Sequence, residues 1–189
     1  MRLFISVDLP SDFADAIAEV QAELEPASGI RSTDPTQAHL TLKFLGEVSP
    51  DEVETIIDGL EAAIDRVGTA PFEASVEGIG AFPDTSYIRV VWLGIESGSD
   101  RLVDLAEAVE TELVERGFLP SDHEFTPHVT IARMSHGGGK DLVKRIVTER
   151  HPTIGRMTVD SVALTESALT DDGTVYSTVE RVPLTDSGA

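Results

Sequence analysis

Two copies of one short pattern decide the fold: His39-Leu40-Thr41-Leu42 and His128-Val129-Thr130-Ile131. In each copy a His and a Thr stand two residues apart in an apolar run, so in a β-strand both side chains leave the same face. A single His-x-Thr pattern is common in packed strands. Two copies at similar positions in two similar halves of a chain indicate the two halves of one functional site.

The elements around the two patterns also repeat. Apolar periodicity and turn residues predict strand, helix, motif strand, helix and strand, in that order, twice. The first series comprises a strand at 2–9, a helix ending at Pro26, the motif strand at 38–45, a helix starting at Ser49 and a strand at 72–79. The second comprises a strand at 89–95, a helix at 100–116, the second motif strand, a helix at 141–150 and a strand at 156–167, with a last strand at 174–183.

The predicted fold class is therefore α+β, with two pseudo-symmetric lobes whose antiparallel sheets line a central cleft and whose helices lie outside. Residues 1–189 form one domain with lobes at about 1–85 and 86–189, and exchange of strands between the lobes is left open. Residues 27–37 are expected to form a loop, 80–84 a turn, and 185–189 a frayed end.

Composition narrows the classes of function. The chain has no cysteine, which excludes disulfides, thiolate nucleophiles and Cys-ligated metal sites and suits a reducing cytoplasm. The N-terminus reaches Asp8 and Pro10 too early for a signal peptide, and no apolar run is long enough to span a membrane. We therefore expect a soluble cytoplasmic protein.

The formal charge is −20, from 34 acidic and 14 basic residues that are spread along the chain. Only three of the basic residues are lysines, namely Lys43, Lys140 and Lys144. Such a charge is typical of proteins from salt-accumulating organisms, because at molar salt the Debye length falls to about 3 Å. In dilute buffer the same charge would repel RNA unless a locally basic pocket overrides it.

Two imidazoles facing one reacting group suit a reaction that needs a base and an acid near neutral pH. Thr41 and Thr130 can donate hydrogen bonds to a non-bridging oxygen, an arrangement that matches a phosphodiester. No metal or other cofactor is needed, and neither motif strand carries additional metal ligands.

The faces of the motif strands raise two further candidates. Strict alternation places Lys43 beside His39 and Thr41, with Leu40, Leu42 and Phe44 on the opposite face. Arg133 has the planar fork that binds phosphate, but alternation from His128 puts it on the wrong face, so it reaches the cleft only if the strand bulges nearby. A structural Arg133 remains the alternative.

The chain resembles the two-histidine (2H) phosphoesterases, specifically the RNA 2′,3′-cyclic phosphodiesterases also called 2′-5′ RNA ligases. The similarity covers nearly the whole chain, namely Arg2-Leu3-Phe4, Asp8-Leu9-Pro10, residues 39–46, Phe82-Pro83, Val91-Trp92-Leu93-Gly94, residues 127–133, Glu166-Ser167, Gly173 and Tyr176.

The resemblance implies hydrolysis of a terminal 2′,3′-cyclic phosphate of RNA, tRNA halves included, to a 2′-phosphomonoester, with 2′-5′ ligation as a secondary activity. It implies that His128 is the proton acceptor, that His39 is the proton donor, and that Thr41, Thr130 and Arg133 bind the phosphate. A monomer is expected. The sequence by itself does not decide which His is which, because the two motifs are equivalent.

Two other functions stay open. The same cleft would serve a non-catalytic nucleotide- or RNA-binding module, whose signature is loss of one His, or a cyclic phosphodiesterase acting on a small nucleotide such as ADP-ribose cyclic phosphate. His123, His136 and His151 lie in turns or at helix ends and are interpreted as surface residues. Residues 137–140 lack the spacing of a P-loop and are interpreted as a flexible turn.

Overall fold

The computed structural model describes residues 1–186, so the last three residues of the expected frayed end lie outside the described part. The helices within it are α1 (Phe13–Leu24), α2 (Val53–Val67), α3 (Ser99–Glu115) and α4 (Lys140–Glu149). The strands within it are β1 (Arg2–Asp8), β2 (Ile30–Ser32), β3 (His39–Glu47), β4 (Phe72–Pro83), β5 (Ile88–Ile95), β6 (His128–Met134), β7 (Thr153–Val159), β8 (Ser161–Thr170) and β9 (Gly173–Pro183).

All of these strands join one curled antiparallel sheet, in the order β7-β4-β5-β6-β3-β1-β8-β9, with β2 paired to β6. The two motif strands, β3 and β6, are neighbours at its centre. Outward from them, β1, β8 and β9 follow on one side and β5, β4 and β7 on the other. The predicted α+β class with antiparallel sheets is confirmed.

The two sides of the sheet do not follow the two halves of the chain. β4 precedes residue 85 but pairs with β5 and β7, and β8 lies in the second half of the chain but pairs with β1. The repeats thus exchange strands. The lobe boundary near residue 85 stays a prediction.

The predicted helices are present within a few residues of their expected bounds. α1 buries Phe13, Ile17, Val20 and Leu24, the residues at helical spacing. Ser49 and Glu52 form a capping box in a short 3-10 turn ahead of α2. Across residues 1–186, every helix is too short or too polar to cross a membrane.

One strand prediction, one loop prediction and one turn prediction were wrong. The segment 156–167 contains the end of β7 and most of β8, which are separated at Asp160. The loop at 27–37 contains β2, and β4 runs through the predicted turn as far as Pro83. Gly80 looked like a turn residue, but it serves a close approach inside a strand, because an added Cβ would lie 2.3 Å from the Trp92 ring.

Candidate active site

The two motifs meet where β3 and β6 touch. Their shared bridge pairs Leu40 with Val129, and both side chains are fully buried on the core side. In an antiparallel pair, the residue before one partner faces the residue after the other. His39 therefore lies across from Thr130, and Thr41 lies across from His128. All four side chains leave the opposite face from the core, which is the cleft.

Each imidazole is held by a backbone carbonyl two residues earlier. Nδ1 of His39 is 2.9 Å from the carbonyl oxygen of Gln37, and Nδ1 of His128 is 2.6 Å from that of Thr126. A carbonyl oxygen only accepts, so Nδ1 must carry the proton in both rings. Nε2 of each neutral imidazole is then the unprotonated nitrogen, available as a base or, once protonated, as an acid.

Aromatic rings pack on both histidines. The His39 ring lies 4.9 Å from Phe4 and 4.7 Å from Tyr176, between ring centroids. The His128 ring lies 4.9 Å from Phe82 and 6.1 Å from Trp92. These four aromatic residues lie in stretches that carry the family resemblance, but the sequence analysis assigned them no role in the site. Their contacts fix the ring orientations.

Burial is the main electrostatic influence on both histidines. It lowers the pKa of His39 below its ordinary value, although the hydrogen bond to Gln37 and the charge of Asp8 act in the opposite direction. It also lowers the pKa of His128, where Arg133, His123 and His39 add to the lowering and the hydrogen bond to Thr126 opposes it. The two environments therefore differ in charge: the Asp8 carboxylate acts on His39, and the Arg133 guanidinium acts on His128.

A β-bulge in β6 changes the face of Arg133. Val91 pairs with Ala132 but Trp92 pairs with Thr130, so one residue is skipped at Ile131. Ala132 is consequently buried next to buried Ile131, and Arg133 is exposed on the same face as His128. The sequence analysis predicted that Arg133 would reach the cleft face only if the strand bulged nearby, and this register shift is such a bulge.

The first motif strand has the same bulge, and here the predicted faces were wrong. Ile5 pairs with Lys43 but Ser6 pairs with Thr41, so Leu42 is skipped. Lys43 is therefore 3% exposed on the core side, and Phe44, expected in the core, is 70% exposed on the cleft face. Strict alternation from His39 fails because the bulge inserts one residue.

Lys43 ties the first motif strand to the loop that leads into the second. Its Nζ donates to Oε2 of Glu110 on α3 at 2.6 Å, to the carbonyl of Leu119 at 2.9 Å and to Oγ of Ser121 at 3.3 Å. Burial raises the pKa of Glu110, but the hydrogen bonds from Lys43 and Ser121 outweigh it and hold that pKa below its ordinary value. Lys43 therefore lies on the core side of the first motif strand and stabilises its contact with α3 and with the loop before β6.

A depression of about 280 Å³ opens beside His39. Its lining includes Asp8, Gln37 and Tyr176, and Gln37 also accepts a hydrogen bond from the backbone N–H of Tyr176. This space lies between the first motif and strands β1, β8 and β9. The depression therefore adjoins the imidazole of His39.

The remaining histidines lie outside both motifs. His123 pairs with Asp122 on the surface, and His151 lies 3.4 Å from Glu96 and 4.0 Å from Glu77. Within residues 1–186, those last three residues form the one group whose spacing would fit a metal ion. None of them belongs to a motif, so the candidate site does not depend on them.

Two His/Thr pairs facing each other from adjacent antiparallel strands define the two-histidine class of phosphoesterase site. The chain belongs to the LigT like Phosphoesterase family, which matches it twice, over residues 7–92 and 93–176. Each match contains one motif, in agreement with the internal repeat.

Individual relatives agree along nearly the full length. The RNA 2′,3′-cyclic phosphodiesterase of Methanothermobacter thermautotrophicus is 33% identical over 95% of this chain and 97% of its own. The protein of that name from Archaeoglobus fulgidus is 34% identical over 93% and 96%. The crystal structure of Escherichia coli LigT complexed with 3′-AMP matches with a TM-score of 0.77 and 28% identity, covering 97% of this chain and 98% of that chain.

Proposed function

We propose that this protein hydrolyses the terminal 2′,3′-cyclic phosphate of RNA to a 2′-phosphomonoester. The observation that carries the proposal is the opposed pair of imidazoles, each with Nδ1 bound to a carbonyl and Nε2 left for chemistry. The names of the curated relatives supply the substrate class.

In the proposed mechanism, Nε2 of His128 removes a proton from water as the water attacks phosphorus. The bond from phosphorus to the 3′ oxygen breaks, and protonated His39 gives its proton to that leaving oxygen. The charges favour these roles. Asp8 stabilises the protonated form of His39, whereas Arg133 favours the neutral form of His128.

Thr41, Thr130 and Arg133 bind the phosphate in this scheme. The two hydroxyls are in position to donate to non-bridging oxygens, and the Arg133 fork adds a positive charge as negative charge develops there. The step uses only side chains of this chain and consumes no cofactor.

The same cleft would serve 2′-5′ ligation as a secondary activity. There the 5′-hydroxyl of a second RNA end attacks phosphorus in place of water and gives its proton to the base, while the bond from phosphorus to the 3′ oxygen breaks and that oxygen takes a proton from the acid. We propose that the protein works as a monomer in the cytoplasm and that RNA fragments such as tRNA halves are its substrates. The absence of cysteine suits that compartment.

The proposal is tested with an oligoribonucleotide ending in a 2′,3′-cyclic phosphate, incubated at high salt with a chelator and analysed by ³¹P NMR. The expected product is a 2′-phosphate end. A 3′-phosphate product would contradict the assigned direction of ring opening. An untouched end with folded protein would contradict RNA hydrolysis, and ADP-ribose cyclic phosphate and simple binding of the oligonucleotide would be assayed next.

A further inference from the structure

One polar side chain lies in the buried stripe of α1. Gln21 is 4% exposed, in the same stripe as Ile17 and Leu24. A buried amide is costly unless its hydrogen bonds are satisfied. Nε2 of Gln21 donates to the carbonyl oxygen of Thr33 at 2.8 Å and to the carbonyl oxygen of Ile131 at 2.9 Å. Both partners only accept, so the NH₂ group of the amide must face them.

Ile131 is the residue that the bulge inserts into β6. Trp92 pairs with Thr130 and Val91 pairs with Ala132, so Ile131 is skipped in the pairing with β5. On the other side of β6, the neighbouring strand changes at the same place, from β3 to β2. The backbone of Ile131 therefore lies outside the regular ladder, and its polar groups need other partners.

Two donors bind the carbonyl oxygen of Ile131. The backbone N–H of Thr33 donates to it at 2.9 Å, and Nε2 of Gln21 donates to it at 2.9 Å. Oγ1 of Thr33 also donates to the carbonyl oxygen of Thr130 at 3.3 Å. In a regular strand, successive carbonyls point to opposite sides, whereas these two both accept hydrogen bonds from Thr33. Gln21 and Thr33 therefore stabilise the bulged conformation of β6.

The bulge decides which face of the sheet carries Arg133. In a strand with strict alternation from His128, Arg133 would face the core and Ala132 would face the cleft. With the bulge, Ala132 is fully buried and Arg133 is exposed on the same face as His128. A group that stabilises the bulge therefore also stabilises the cleft orientation of Arg133.

We propose that Gln21 is a positioning residue for Arg133. By binding the carbonyl of Ile131, it holds the bulge of β6 and keeps the Arg133 guanidinium on the cleft face. This inference rests on the proposed function, in which Arg133 binds the phosphate. Because Gln21 is buried and belongs to α1, it acts through the backbone of β6 and does not touch the substrate.

The kinetic test is a double-mutant cycle between Gln21 and Arg133. Gln21→Met approximately keeps the side-chain volume but removes the donor, and it should lower kcat/KM for the cyclic oligoribonucleotide about three- to tenfold. In an Arg133→Ala background the same substitution should cost less than about twofold, because the group that Gln21 positions is already absent.

Ser75→Ala is the matched control. Ser75 is also buried, and its Oγ accepts a hydrogen bond from the backbone N–H of Ser97 at 2.9 Å, outside both motifs. Its substitution should change kcat/KM by the same small factor in the two backgrounds. An equal loss from Gln21→Met in the two backgrounds, or no loss in either, would overturn the proposal. Circular dichroism checks the fold, and Gln21→Asn, whose amide is one methylene shorter, replaces Gln21→Met if that variant fails to fold.

An NMR titration of the His128 imidazole tests the positioning without turnover. The charged groups that act on this ring are Arg133, His123 and His39, and each of them lowers its pKa. Displacement of Arg133 removes a cation that disfavours the protonated imidazole. The pKa of His128 should therefore rise in Gln21→Met, in the same direction as in Arg133→Gln.

The two readouts separate failure of the positioning from failure of the proposed function. If the wild-type protein leaves the cyclic end intact, the hydrolase proposal fails, and the titration alone decides. A rise in the pKa of His128 in Gln21→Met, with no change in Ser75→Ala, supports the positioning. An unchanged pKa of His128 in Gln21→Met, or an equal rise in Ser75→Ala, overturns it.

Discussion

The two motif strands share one His/Thr pattern, but the residues around that pattern differ. β3 and β6 both place a His and a Thr on the cleft face, and both bulge at the residue after the Thr. Five positions after its His, β3 has Phe44 and β6 has Arg133. At the preceding position, buried Lys43 in β3 corresponds to buried Ala132 in β6.

This comparison shows how a repeated motif can serve an asymmetric reaction. Hydrolysis needs a base on one side of phosphorus and an acid on the other, whereas two identical strands would supply two identical groups. The difference resides in neighbours of the motifs, with Asp8 near His39 and Arg133 near His128. The two strands thus have the same backbone arrangement, whereas the charged residue near each His has the opposite sign.

Removing either imidazole should have the largest effect. His39→Ala and His128→Ala should each lower kcat by about 10²- to 10⁴-fold, because each removes one proton transfer. His151→Ala is the matched control, since His151 is exposed and lies outside both motifs. Turnover assays with circular dichroism check the prediction, and full activity in either motif variant would rule out the two-histidine mechanism.

The next largest difference between the two strands should come from substitution of the residue five positions after each His. Arg133→Ala should lower kcat/KM by about 10- to 100-fold through loss of a charged hydrogen bond to phosphate. Phe44→Ala, at the equivalent position of β3, should have a smaller effect because no charge is lost. Steady-state kinetics decide between them, and an equal loss in both would contradict the phosphate role of Arg133.

Lys43 should matter for stability more than for chemistry. Lys43→Met leaves Glu110 and the Leu119 carbonyl without their shared donor, so the free energy of unfolding should fall by about 2–3 kcal/mol. Lys144→Met, at an exposed position, should change it by less than about 0.5 kcal/mol. Urea denaturation at constant salt measures both, and equal stability of the two variants would show that the buried network contributes nothing.

The smallest effect should appear in the pH dependence of kcat/KM. Burial lowers the pKa of both histidines, so the bell-shaped profile should peak below about pH 6.5. Asp8→Asn removes a charge that favours protonated His39, so the alkaline limb should move to lower pH. Arg133→Gln removes a charge that disfavours protonated His128, so the acidic limb should move to higher pH. Movement of the acidic limb in Asp8→Asn and of the alkaline limb in Arg133→Gln would reverse the assigned roles.

Sequence patterns were sufficient for the repeat, the helices, the α+β class and the meeting of the motifs, because these depend on periodicity and turn residues. They assigned Lys43 and Phe44 to the wrong faces of β3, because alternation of apolar and polar residues does not show where a bulge inserts one residue. The aromatic packing on His39 and His128 was also missed, since Phe4, Tyr176, Phe82 and Trp92 come from distant strands. Adaptation to high salt stays a prediction.

The most direct test of the assigned roles is a cyclic substrate in which sulfur replaces the bridging 3′ oxygen. A thiolate leaves without a proton, so this substrate needs the base but not the acid. The account predicts that His39→Ala regains most of its lost turnover on the sulfur substrate, whereas His128→Ala remains inactive. Rescue of His128→Ala with no rescue of His39→Ala would contradict it.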